Sequence, residues 1–173
     1  MHLRSMVVSA AMGALALVLP VGFHAVGLGS QFLPMLLPLL INGFLSTPLW
    51  AVLTALSVPP VSGLLTGMPP LYPPMAAVVA LEGATLAGVA ALAWRLVRPR
   101  LWPALLAAIV CGRLMAVVLT WALARLYHLP GMVAGWAVLL HGLPGVALQL
   151  AVTPVVVRYA CSRGGPLFRE DAR

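Results

Sequence analysis

The sequence predicts an all-α membrane protein. It is read as a six-transmembrane-helix bundle, N-in/C-in, in which helices 2 and 3 are short and kinked. Three observations lead there. First, 62% of the 173 residues are hydrophobic and 8% are charged, with a mean hydropathy of +1.07. A soluble domain carries about 25% charged residues, and a water-facing surface cannot be built from so few. Second, the apolar runs are continuous and rich in Leu, Ala and Val, whereas a membrane β-strand would alternate apolar and polar residues. Third, at roughly 20 residues per span plus short turns, the length suits six helices in one domain.

Span 1 is expected over 6–23. Its SAAMGALA run places Ser9 with Gly13, and Ala10 with Ala14, each four residues apart. Such pairs share a helix face and allow close helix approach. Arg4 followed by an apolar run has the look of a signal peptide. No small-residue cleavage site with a polar segment behind it follows, so the run is kept as the first helix.

The stretch from His24 to Pro70 is almost uncharged and is punctuated by Pro and Gly. It reads as an outer loop with Gly27 and Gly29, span 2 over 32–45, span 3 over 48–65, and a second outer loop. Pro34 and Pro38 fall near the start of span 2, Pro48 suits the first turn of span 3, and Pro59-Pro60 are expected to interrupt span 3. The loop TGMPPLYPP has four prolines in nine residues and is therefore stiff. Inside a membrane, neighbouring helices, hydroxyls and water can satisfy the backbone groups that Pro frees.

Span 4 covers 75–96 and carries Glu82; Pro99 follows it. Span 5 covers 101–126 and carries Arg113. Span 6 covers 132–159, with kinks expected at Pro144 and Pro154. Residues 1–160 thus form one transmembrane domain, and 161–173 a polar cytoplasmic tail.

The ten arginines and three acidic residues give a net charge of +7. In a soluble chain that would suggest nucleic acid; here the arginines cluster at the ends of apolar runs. Six spans put Arg4, Arg95, Arg98, Arg100, Arg158, Arg163, Arg169 and Arg173 on one side and only Arg125 on the other. The positive-inside rule then places both termini in the cytoplasm.

Charges at membrane depth cost roughly 2.5 to 3.5 kcal/mol each and so need a reason. Glu82 and Arg113 lie on consecutive spans, where they either pair to fix helix packing or line a wet cavity. His141 and Gln149 sit near one face of span 6, Asn42 lies in span 2, and His24, Gln31, Tyr72 and His128 fall near the outer surface. Each alone is explained by an interhelical hydrogen bond or a headgroup contact. Together they suit the lining of a small-molecule site, where a few polar groups stand in an apolar pocket. Trp50, Trp94, Trp102 and Trp121 suit interfacial anchoring, and Trp136 could stack on a flat ligand. The sequence has no HExxH, no GxSxG and no P-loop, so neither catalysis nor ATP hydrolysis is expected. Cys111 and Cys161 form no disulfide framework, and no cofactor or bound metal is expected.

The runs GLGSQFLPMLLPLLINGFLSTP and PPVSGLLTGMPPLYPP, Glu82 in span 4, and GLPGVALQLAVTP at 142–154 together resemble the substrate-binding S components of energy-coupling factor (ECF) transporters. The resemblance touches roughly half the chain and extends to the six-helix plan. It implies a bacterial or archaeal plasma-membrane protein that captures a vitamin or vitamin precursor on the outer face. It also implies docking, through small residues of the first helix such as Ala10 and Ala14, onto a transmembrane coupling subunit driven by two ATPase subunits. The pocket would form from the outer loops and later helices, with Glu82, Arg113, His141 and Gln149 placed to serve it. Relatives with this pattern often carry a His after the Pro-Met of span 2, where this chain has Leu36; the vitamin therefore does not transfer with the pattern. The alternatives are a structural or assembly membrane protein with no ligand, and a stand-alone carrier. Met1-His2 resembles the start of a cobalt-uptake metal hook, but the nearby Arg4 opposes a cation site.

Overall fold

An apolar chain in a bilayer must satisfy its backbone internally, and a helix does so within each segment. The computed structural model describes residues 2–25, 27, 34–72, 74–128 and 131–163. Among them six helices follow one another: α1 (His2–Ala25), α2 (Leu36–Leu45), α3 (Pro48–Thr66), α4 (Met75–Val97), α5 (Leu101–Leu126) and α6 (Gly131–Arg163). Five are long and apolar enough to cross a membrane: the stretches Leu3–Phe23, Pro48–Thr66, Met75–Val97, Leu101–Leu126 and Gly142–Ser162. The exception is α2. Its 10 residues reach only about 15 Å at 1.5 Å per residue, half of a roughly 30 Å hydrocarbon core.

The short helix sits in the middle. It packs against α1, α3, α4 and α6, and Leu36, Pro38, Leu39, Leu40, Ile41, Asn42, Gly43 and Phe44 are all buried. A helix that is apolar on every side belongs inside a bundle, and α2 follows that rule. Its long neighbour α4 packs on α2, α3 and α5. Small residues permit the approach, as is usual between membrane helices. A β-carbon at Gly83 would lie 3.2 Å from Leu39 Cδ1, and one at Gly88 would lie 3.1 Å from Val52 Cγ2. The resulting core includes Leu36, Leu39, Leu40, Ala51, Ala55, Leu86, Ala87, Ala90 and Leu105.

Several elements differ from the sequence expectation. Helix α2 starts at Leu36, while residues 31–33 lie outside the described residues. Helix α3 is not interrupted at Pro59-Pro60 and, at 19 residues, is not short. Each proline removes a donor to the carbonyl four residues back and crowds it with its ring, yet keeps a helical φ, so the helix continues. The hydroxyl of Ser57 adds a bond to the Leu53 carbonyl at 2.8 Å in the turn before them. Helix α6 carries Pro144 and Pro154 within it and runs to Arg163, past its expected end at 159. Trp94 is buried in the bundle. It meets Phe44 edge-to-face at 5.8 Å, and the Arg98 guanidinium lies 5.0 Å from its ring centre.

The loop after α3 is held by its own polar groups. Gly67 closes the helix in the left-handed conformation, φ 74°, and donates to the Gly63 carbonyl at 3.0 Å. The hydroxyls of Ser62 and Thr66 donate to the Met68 carbonyl at 2.7 and 3.1 Å. The Pro70 carbonyl accepts from Ala76 N–H at 3.1 Å, which ties the loop to the start of α4.

Candidate functional site

Two charges meet inside the bundle. Helix α4 carries Glu82 and helix α5 carries Arg113, and Arg113 Nη2 forms an ion pair with Glu82 Oε1. Both side chains are buried. The glycine beside Arg113 lets the helices come together: a β-carbon at Gly112 would lie 2.9 Å from Leu86 Cδ1. The pair leaves Arg113 Nε without a hydrogen-bond partner among the described residues. Each charge offsets the other, so the paired groups add no net charge to the membrane interior, while unused donors of the guanidinium remain.

A cavity of about 260 Å³ opens between the same two helices, toward the end where α4 begins and α5 finishes. Pro74, Ala77, Val78 and Leu81 line it from α4 and the residue before it, and Leu119, Ala122, Leu123 and Leu126 from α5. Leu81 precedes Glu82 directly, but one residue turns about 100° around a helix: Leu81 is exposed and lines the cavity, whereas Glu82 is buried and faces Arg113. The lining is entirely apolar, and no polar residue singled out from the sequence is part of it. At the same end, Tyr72 of the proline-rich loop meets Tyr127, just past α5, edge-to-face at 5.8 Å. Tyr72 is exposed, so it belongs to the rim of this end rather than to the interior.

Among the described residues, no hydrogen bond joins another candidate to the ion pair. Asn42 is fully buried on α2, and its Oδ1 accepts a hydrogen bond from the Ser9 hydroxyl of α1 at 3.0 Å. Gln149 on α6 is buried, and neither side-chain amide atom has a partner among the described residues. Gln31 and the side chains of His24, Trp136 and His141 lie outside the described residues. Two buried groups were not singled out from the sequence. Ser9 was read only as a small residue, although its hydroxyl is the donor that Asn42 needs. Thr153 stands one turn after Gln149 and is completely buried with an unpartnered hydroxyl. The spacing of four from Gln149 was the available signal. Ser57 and Thr85 each return their hydroxyl to the carbonyl four residues back; Thr153 does not.

The six-helix plan, the short buried α2 and the intramembrane ion pair frame the comparison with known proteins. The family model for the ECF transporter substrate-specific component matches residues 4–157. The chain belongs to this family. No curated protein and no solved structure matches it. The protein is therefore an S component: a multi-pass membrane subunit of a prokaryotic transporter, not an enzyme, whose family implies a substrate and an energy-coupling module as partners.

In this S component the two small-residue stripes of α1 have different surroundings. Ser9 and Gly13 are buried, together with Ser5, Ala16 and Pro20. A β-carbon at Gly13 would lie 3.1 Å from Thr54 Cγ2 of α3. Ala10 and Ala14 are exposed, among Val7, Leu15 and Val18.

Proposed function

We propose that this S component captures a small vitamin-like molecule at the end of the bundle formed by the proline-rich loop, the start of α4 and the end of α5. The observation that carries the reading is the buried Glu82–Arg113 pair with its unused guanidinium donor, on the same two helices that form an apolar cavity of about 260 Å³. A flat apolar body gains free energy by leaving water for such a lining, at about 25 cal/mol per Å² buried. Polar atoms of the guest then meet the unused donors of Arg113. A wrong guest leaves those donors unpaired, at roughly 1 to 3 kcal/mol each, and that difference is the specificity. Gln149, His141, Asn42, His24, Gln31, Tyr72 and Trp136 are further candidate contacts.

The orientation supported by the arginine distribution is N-in and C-in, which turns the proline-rich loop outward. Ala10 and Ala14, exposed on α1, are then the docking face for a transmembrane coupling subunit, and two ATPase subunits drive reorientation and release. Native mass spectrometry of the detergent-purified chain tests the capture step. A co-purified small molecule is expected. Its mass should vanish from Glu82→Gln and Arg113→Gln proteins that still insert; retention of the ligand by both variants removes the ion pair from the site.

A further inference from the structure

Hydrophobicity does not set how α1 is turned about its own axis. The stretch Leu3–Phe23 has a mean hydropathy of 2.2, and only 17% of its most apolar window is buried. Lipid tails are as apolar as leucine, so exchanging one apolar face for another changes little. The stripes Ser9–Gly13 and Ala10–Ala14 would each allow close packing. They differ in phase by one residue, about 100° of rotation.

Two contacts tell them apart. The Ser9 hydroxyl donates to Asn42 Oδ1 at 3.0 Å, with both residues buried. The missing side chain of Gly13 leaves space against Thr54, where a β-carbon would be 3.1 Å from Cγ2. Turning α1 by one residue would present the methyl of Ala10 to Asn42 and press the methyl of Ala14 into the space that Gly13 leaves. Alanine offers no donor. Asn42 sits on a helix buried on all sides, so its amide has no water to turn to, and its Nδ2 already lacks a partner among the described residues. A polar group that is only half satisfied adds little net stability. A single buried Asn is instead well suited to fixing one register among several near-equal ones.

We infer that the Ser9–Asn42 hydrogen bond is a rotational lock on α1, holding Ala10 and Ala14 outward and so presenting the docking face to the coupling subunit. The inference rests on the docking role proposed above for that face. Ser9 and Asn42 act as positioning residues, since both are buried and neither reaches the outer surface.

The test is a nitroxide scan of α1 in phosphatidylcholine vesicles, with Cys111→Ala and Cys161→Ala removing the native thiols. Labels are placed one at a time at Val7, Val8, Ala10, Ala11, Met12 and Ala14, and collision with molecular oxygen reports exposure to lipid. In the parent, positions 10 and 14 should be more accessible than 8 and 12. In Ser9→Ala and in Asn42→Leu that contrast should collapse or invert, whereas Ser9→Thr, which keeps the hydroxyl, should retain it. Assembly with the purified coupling subunit and its ATPases should weaken about threefold to tenfold in the first two variants, the contribution of one interhelical hydrogen bond in a bilayer. An unchanged scan in both Ser9→Ala and Asn42→Leu overturns the lock. If Ala10→Trp leaves assembly intact, the docking reading fails separately, and the scan still decides the lock. Asn42→Leu replaces a half-satisfied amide with an apolar side chain of similar size, and Ser9→Ala is the milder variant should that core resist it.

Discussion

Gly43 lies directly against the backbone of Ala87: a β-carbon at Gly43 would sit 2.5 Å from the Ala87 carbonyl oxygen and 2.9 Å from Ala90 Cβ. Backbone cannot swing aside as a side-chain tip can, so α2 and α4 would have to separate. Helix propensity alone would favour Gly43→Ala by about 1 kcal/mol. Overpacking in a dense core costs typically 1 to 3 kcal/mol, and here it acts at the centre of the bundle. Gly43→Ala should therefore lower the melting temperature in detergent, whereas Gly22→Ala, where nothing lies within 4 Å, should leave it unchanged or raise it slightly. Equal melting temperatures for the two variants would show that α2 is not wedged against α4.

The Glu82–Arg113 pair invites a separation of stability from binding. Removing one partner strands the other charge inside the bundle, which costs roughly 3 to 5 kcal/mol. Replacing both by apolar residues of similar size is often neutral or stabilising. Thermal unfolding of Glu82→Leu, Arg113→Met and the double variant should show two unstable singles and a double close to the parent. Ligand capture should be lost in all three. A double variant that is stable and still binds would assign the pair to helix packing alone.

Much of this architecture was legible because each membrane helix satisfies its own backbone, and an apolar run of the right length declares it. The runs 75–96 and 101–126 became Met75–Val97 and Leu101–Leu126 for that reason. Proline was the misleading signal. Pro59-Pro60 read as an interruption, yet α3 continues, because each proline keeps a helical φ and costs one donor. The inner position of α2 was also hidden. Its 10 residues look like any short span until four helices are seen around it. The contact of Trp94 with Phe44 was hidden as well, because sequence does not reveal what lies opposite a ring. The charged pair could be named but not its geometry, since consecutive spans can face each other or turn their polar residues apart. The apolar cavity had no polar signal at all. The two small stripes of α1 were indistinguishable by composition; only the position of Asn42 separates them.

The loop after α3 makes a prediction about conformation rather than contact. Gly67 holds φ at 74° with nothing within 4 Å of where a β-carbon would point. Any loss on substitution therefore comes from the left-handed backbone itself, about 1 to 2 kcal/mol for an L-residue. Gly67→Ala should destabilise by about 1 kcal/mol and loosen the hydroxyl contacts to Met68. Gly67→Asn should lose less, because Asn tolerates this conformation. Hydrogen exchange at the Met68 amide, which donates to Thr66 Oγ1 at 3.2 Å, is the local readout. Protection as strong in the alanine variant as in the parent would contradict the role given to Gly67.

The exposed face of α1 gives the sharpest contrast between stability and transport. Ala10 and Ala14 are exposed, so a tryptophan there meets lipid and leaves the bundle's own packing untouched. Gly13, one residue before Ala14, is buried, with Thr54 and Val58 3.1 and 3.4 Å from a β-carbon. Ala10→Trp and Ala14→Trp should keep the parent's melting temperature and its co-purified ligand, yet abolish ATP-driven uptake by the assembled transporter. Gly13→Trp should instead unfold the bundle or push α1 off α3. The physical reason is that close helix approach depends on small residues, and only the outward stripe is free to offer them to a second protein. Uptake that survives both outward tryptophans would mean that the coupling subunit grips another face of the molecule.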